Sequence, residues 1–396
     1  MSQYHLFQQQ TQIGESRWWS WCIAFWFSLL AWFILSGILL SPLSAIAYEI
    51  DPEIARQLES SQIGLLTGED QHRVALLMLG VMVSTVLVGL FWILNRAFKG
   101  RTRVVFGYLT GISLIANIWT AGSAAPILMS NSAETNTLTN IIMAQSPLIY
   151  LLMLLTFPAF LIGLYMVQSF IHHRPILWLH TAAKKFRWRR AFYAFAVMAT
   201  LAGALVLLQH VTGISRAEFV FDPSKFFIFA IISLIFIPIQ SATEEIVFRG
   251  YLNQAFGHFI KSPWIVFIIT SLMFAAMHLA NPEAKEGAKN GLFLLTMSSY
   301  FVFGFIACLL AWMDGGLESA IGMHAGNNVF AAVLVNYQNS ALPTPPIFEV
   351  GLNPAIDVPL GIAAMILMAV IMWKTRLITE PRDLPVSTND SLKSFN

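Results

Sequence analysis

The chain predicts an all-α fold: a polytopic transmembrane helical bundle of about ten helices around a buried polar cavity. Three observations carry that expectation. Hydrophobic residues fill 57% of the 396 positions and charged residues only 11%, against roughly 25% charged in soluble domains. Apolar runs long enough to cross a bilayer, about 20 residues each, recur from end to end. Lysine and arginine gather in alternate loops. The net charge of +2 says little about partners; its distribution says more.

The runs lie near 18–47, 74–95, 104–128, 146–171, 191–211, 226–246, 263–281, 291–313, 317–336 and 357–376. The first ends in Ala45-Ile46-Ala47, which resembles a signal-peptidase site. Its length and tryptophan content exceed the roughly 7–15-residue core of a secretory leader, so it reads as an uncleaved membrane helix. Asn117, Gly122 and Pro126 interrupt the third run. Pro158 should kink the fourth, because proline removes a ladder hydrogen bond and crowds the preceding turn.

The loop after the second run holds Arg96, Lys99, Arg101 and Arg103, and the one after the fourth holds Arg174, Lys184, Lys185, Arg187, Arg189 and Arg190. Arg249 and Lys261 follow the sixth run, and Lys374, Arg376, Arg382 and Lys393 follow the tenth, whereas 130–145 and 337–356 contain no Lys or Arg. Basic loops face the cytoplasm. The expected location is therefore the cytoplasmic (inner) membrane, crossed many times, with both termini cytoplasmic.

The stretch HHRPILWLHTAAKKFRWRR, residues 172–190, interleaves basic and aromatic residues. Such a pattern can contact nucleic acid or lipid headgroups. A positive-inside loop with interfacial tryptophans accounts for it, so membrane lipids are expected partners and nucleic acid is not. The loop also divides the chain: 1–190 with about four helices, 191–376 with the remaining helices and a functional core at about 225–340, and 377–396 as a polar tail. Cys22 and Cys308 lie in apolar runs and form no CxxC pair, which makes them filling. Met365 and Met368 read the same way. Asp314 and Glu318 flank Gly315-Gly316 and read as interfacial, and His172, His173 and His180 read as loop residues.

Other polar residues fall inside the spans: Glu244, Glu245, Arg249, His278, His324 and Asn328. Ionisable groups in hydrocarbon are costly and mark function by default. Glu245 and Arg249 are four apart with the acid first, the favourable order for a helical ion pair. Glu244 points about 100° away and is left without that partner. His324 and Asn328 share a helix face, as do Phe274 and His278. Glu244 precedes Gly257 by about 20 Å of helix, and His278 follows Pro263 by about 22 Å. His324 and Asn328 lie about 12 and 18 Å beyond Gly316. The four groups can meet at one depth, reached from the cytoplasmic side. Pro238 should break or bend the helix before Glu244, and exposed backbone at that depth needs protein or a wet cavity.

The three motifs Glu244-Glu245-Ile-Val-Phe-Arg249, Phe274-Ala-Ala-Met-His278 and His324-Ala-Gly-Asn-Asn328 resemble the EExxxR, FxxxH and HxxxN pattern of the CAAX protease and bacteriocin-processing family, often called CPBP or Abi. Every motif position matches, in order, over about residues 225–340. The resemblance implies an intramembrane endopeptidase in which Glu244 activates water with help from His278. His324 and Asn328 would stabilise the oxyanion, and Glu245, Arg249 and Phe274 would support the site. It also implies a membrane-associated peptide or protein substrate, in some members lipid-modified.

Water attack without a metal is the favoured reading, since there is no HExxH and an amide suits an oxyanion hole. Zn²⁺ held by Glu244, His278 and His324 is the alternative. A proton- or ion-coupled transporter, or a non-catalytic immunity or scaffold protein on the same fold, are the rival functions. Transporters usually carry paired repeats, and none is visible. The oligomeric state is left open.

Overall fold

The computed structural model describes residues 7–50 (side chains through 38), 98–116 with scattered positions between 73 and 123, and 144–376 except 145 and 339. The spans expected at 74–95 and 104–128 lie partly outside the described residues. The arginine- and lysine-free loop 130–145 lies almost wholly outside them, and the tail 377–396 wholly.

Ten helices organise the described chain. They are α1 (Trp18–Ile50), α2 (Pro147–Phe170), α3 (Trp188–Val211), α4 (Pro223–Glu245), α5 (Asn253–Phe259), α6 (Pro263–Met277), α7 (Pro282–Lys289), α8 (Phe293–Asp314), α9 (Glu318–Val329) and α10 (Pro354–Lys374). Residues 100–116 are also helical. Six helices are long and apolar enough to cross a membrane, or seven if the bent pair α6–α7 counts as one span, among the described residues. The all-α polytopic bundle expected from the sequence is thus present, and the protein is a multi-pass membrane protein.

The helix starts follow from local chemistry. Proline sits in the first turn of α2, α4, α6, α7 and α10, where its missing N–H has no partner to lose. Asp222 caps α4 by accepting from Ser224 N at 3.0 Å. Gly315 ends α8 in the left-handed region, φ 61°, where glycine carries no Cβ penalty.

Helical structure runs unbroken through Pro158 and through Pro238, so the break expected at Pro238 is absent. The departure from α geometry comes after Pro238, in the π-helical turn Ile246–Leu252 that joins α4 to α5. Helical structure therefore runs from Pro223 to Phe259, well past the expected end at 246. The ninth span is also shorter than expected: α9 has 12 residues, followed by a 5-residue π segment, Phe330–Leu334.

Small residues let the bundle close. A Cβ on Gly322 or Gly326 of α9 would strike the α3 backbone at Ala191 or Phe195, which is how helices pack when lipid gives no hydrophobic drive between them. Large apolar side chains such as Phe192, Leu207, Ile231 and Leu367 point outward, toward lipid. At one end a small sheet of order β1–β3–β2 joins Glu218–Phe219, Phe348–Glu349 and Val335–Asn336.

The opposite, basic end is more built than a positive-inside loop requires. Arg187 Nη2 reaches Glu318 Oε2 at 2.7 Å, and Arg190 Nε reaches Asp314 Oδ2 at 3.0 Å. Both acids are buried, so the interfacial reading of Asp314 and Glu318 is corrected: they are ion-pair partners inside the fold. Arg174 is buried as well and donates to the carbonyls of Thr11, Ile13 and Glu15. His172 is buried between Glu15 O at 2.9 Å and the Tyr251 hydroxyl at 3.0 Å. Only Lys184, Lys185 and Arg189 of this loop's later cations stay exposed.

Candidate active site

Four elements converge on one cavity of about 1000 Å³. The last turns of α4 supply Gln240 and Glu244, and the end of α6 supplies Phe274 and, at its cap, His278. Tyr300 comes from α8, and His324, Asn327 and Asn328 come from α9. Glu245 and Arg249 lie behind the wall, fully buried.

The neighbouring glutamates have opposite environments. Glu245 Oε1 accepts from Arg249 Nη1 at 3.1 Å and from His324 Nδ1 at 2.7 Å. Glu244 keeps 20% of its side chain exposed to the cavity. Its Oε1 accepts from Gln240 Nε2 at 2.5 Å, and its Oε2 stands 3.7 Å from His324 Nε2. The expected division, one acid pairing with arginine and one facing the cavity, is what the geometry has. The π turn lies at the point of division. Such turns often mark functional sites, and here Glu245 is the residue before it and Arg249 lies within it.

Gln240 was not singled out from the sequence. Its Oε1 accepts from Asn328 Nδ2 at 3.2 Å while its Nε2 donates to Glu244. Asn328 Oδ1 in turn accepts from Asn327 Nδ2 at 3.0 Å. A carboxylate can only accept, so the donors run in one direction, from Asn327 through Asn328 and Gln240 to Glu244. The signal was available: Gln240 lies four residues before Glu244, on the same helix face.

Phe274 is the apolar hub. The Arg249 guanidinium lies 4.4 Å from its ring centroid, a cation–π contact that is stronger away from water. The His278 ring lies 4.5 Å from it and the His324 ring 6.1 Å, edge-on. His278 lines the cavity but donates from Nδ1 to Phe274 O at 2.7 Å rather than bonding to Glu244, His324 or Asn328. The structure thus joins Glu244, His324 and Asn328 in one polar network and sets His278 on the cavity wall apart from it.

Among the described residues no three His, Cys, Asp or Glu side chains stand close enough to hold a metal ion. Glu244, His278 and His324 line the same cavity.

The cavity extends in two directions. One wall is apolar, with Phe25, Leu29 and Trp32 of α1 facing Phe157, Phe160 and Val247. The other reaches Tyr337, Leu342 and Asp357, at the sheet end, in and beside the loop without Lys or Arg. Approach from the basic end, as expected, is not the only route this lining offers.

A partly exposed carboxylate thus stands beside histidine and amide groups in a cavity inside a multi-pass helical bundle. The comparisons give the family. Residues 223–330 match the Rce1-like model, described as type II CAAX prenyl endopeptidase Rce1-like. The uncharacterized protein YyaK of Bacillus subtilis (strain 168) is 32% identical over 217 residues, 53% of this chain and 70% of YyaK. No solved structure matches. The chain belongs to the CAAX protease (CPBP) family, whose activity is intramembrane endopeptidase hydrolysis.

Proposed function

We propose that this protein is a glutamic-type intramembrane endopeptidase that cuts a membrane-associated protein or peptide with water activated by Glu244. One observation supports it above the others: Glu245 is fully buried with its Oε1 shared by Arg249 and His324, while Glu244 lines the cavity with 20% of its side chain exposed. In the proposed reaction a water attacks the scissile carbonyl carbon as Glu244 takes its proton. The resulting oxyanion accepts hydrogen bonds from Asn328 and His324. The proton then passes to the leaving nitrogen, and the C–N bond breaks.

The two donors are not equivalent. His324 Nδ1 faces the Glu245 carboxylate and must carry its proton there, so Nε2 can donate only from the doubly protonated imidazolium. Asn328 donates from its amide under no such condition. His278, with Nδ1–H given to Phe274 O, keeps Nε2 for the attacking water.

The apolar wall from α1 and α2 suits a lipid-modified or strongly apolar segment, in line with the prenyl substrates named in the family description. The distribution of Lys and Arg supports the inner membrane with cytoplasmic termini.

The test is Glu244→Gln, which keeps shape and removes the base. Peptides from wild-type and variant membranes would be compared, and purified protein assayed on a prenylated CAAX peptide. The expected loss is about 100- to 10,000-fold. Cleavage by the variant at the wild-type rate removes the water-activation role. Loss of cleavage on chelation, with a bound metal found in the purified protein, would favour zinc. Proton-coupled flux in liposomes that depends on Glu244 would favour the transporter.

A further inference from the structure

His278 sits where α6 ends. It is the cap of α6, with φ −100° and ψ 6°, and the chain there turns by 85° into α7. Its imidazole is held on three sides. Nδ1 bonds to Phe274 O at 2.7 Å, the Phe274 ring tilts against one side at 4.5 Å, and the Tyr300 ring stacks on it at 4.5 Å and 27°.

Tyr300 is itself tied down. Its hydroxyl donates to Glu283 Oε2 at 3.2 Å and accepts from Asn281 Nδ2 at 3.3 Å. The other oxygen, Glu283 Oε1, accepts from Ala341 N at 3.3 Å. Because a carboxylate only accepts, the single phenol proton is committed to Glu283 and the phenol lone pair to Asn281. Glu283 lies in the first turn of α7 and Tyr300 lies on α8, with Ala341 in the loop after β2. Three separate segments are thus drawn together behind one imidazole, and neither Tyr300 nor Glu283 belongs to the three motifs.

We propose that Tyr300 is a positioning residue that sets the plane of His278, and that Glu283 fixes Tyr300 in turn. This rests on the reading of His278 as a member of the hydrolytic set. With Nδ1 committed, Nε2 is the one lone pair the ring can offer water, and its direction follows the plane of the ring. Displacements near 1 Å at such a group cost about 100-fold in rate.

The test uses the full-length protein, with kcat and KM on a fluorogenic prenylated CAAX peptide and NMR of the histidine ring resonances. Tyr300→Ala should lower kcat about 100-fold with KM within about twofold, and should shift the His278 ring signals. Tyr300→Phe keeps the stack and loses the tether, and kcat should fall about tenfold. Glu283→Gln, which retains an acceptor for the phenol, should stay within about threefold of wild type, and Glu283→Ala should match Tyr300→Phe.

Unmoved His278 signals in Tyr300→Ala overturn the proposal, as do moved signals with kcat unchanged. If Tyr300→Ala does not fold, wild-type kcat in Tyr300→Phe overturns it. If the peptide is not cut at all, the ring signals alone decide. Normal cleavage by Glu244→Gln would sink the hydrolytic reading instead, and the ring signals would still report on the stack.

Discussion

Among the described residues, buried charged side chains gather at the basic end and at the cavity, and the ion pairs of the two places differ in how completely they are satisfied. At the basic end Arg187 and Arg190 each meet both oxygens of one acid. Arg187 bonds to Glu318 through Nε and Nη2, and Arg190 to Asp314 through Nε and Nη2. Arg190 adds the carbonyls of Met372 and Thr375 at the end of α10, where a cation also complements the helix dipole. At the cavity, Glu244 Oε2, Glu245 Oε2 and Arg249 Nε and Nη2 have no hydrogen-bond partner among the described residues. Charges saturated by fixed partners hold helices together. Charges left with spare valence beside a cavity are available for chemistry.

The largest expected effect lies at the saturated end. Arg190→Ala leaves Asp314 buried with its charge uncompensated, which costs about 3–5 kcal/mol of stability. Thermal unfolding in detergent should show a clear drop for this variant and almost none for Glu244→Gln. Wild-type melting in Arg190→Ala would erase the distinction between the two regions.

Next comes the cavity. Asn328→Ala removes the proposed oxyanion donor and should lower kcat about 100- to 1,000-fold, with the melting temperature close to wild type because Asn328 is only part-buried. A large stability loss with normal kcat would move Asn328 into the structural group.

This contrast also explains what could be read from the sequence. Helical span and motif position are local properties, so the bundle and the division between Glu244 and Glu245 followed from hydropathy and from helix phase. The partners of Asp314 and Glu318 lie more than 120 residues away, on Arg190 and Arg187. Nothing in local spacing distinguishes a basic loop that faces water from one folded back onto two acids. Gln240 was missed for a different reason. An uncharged amide costs less to bury than a carboxylate, so it raised no alarm, although its place on the Glu244 face was visible. The break expected at Pro238 is absent, and the irregular backbone at the site is the π turn after Glu245, which no residue type announces.

The smallest expected effect sharpens the comparison by pH. At the basic end, burial pulls His172 down to about 4, with the Arg174 charge adding to it, and burial pulls His180 down to about 4 as well. Both are therefore neutral in the folded protein at pH values where the unfolded chain, with histidines near 6.5, already takes up protons. The stability they contribute is complete above about 6.5 and declines as pH falls toward 4. Melting temperatures taken between pH 7.5 and 4.5 should fall in the wild type and fall less in His172→Gln, which keeps a side-chain donor for Glu15 O without a titrating ring. Parallel curves for the two proteins would show that His172 is not the group that makes the basic end acid-sensitive.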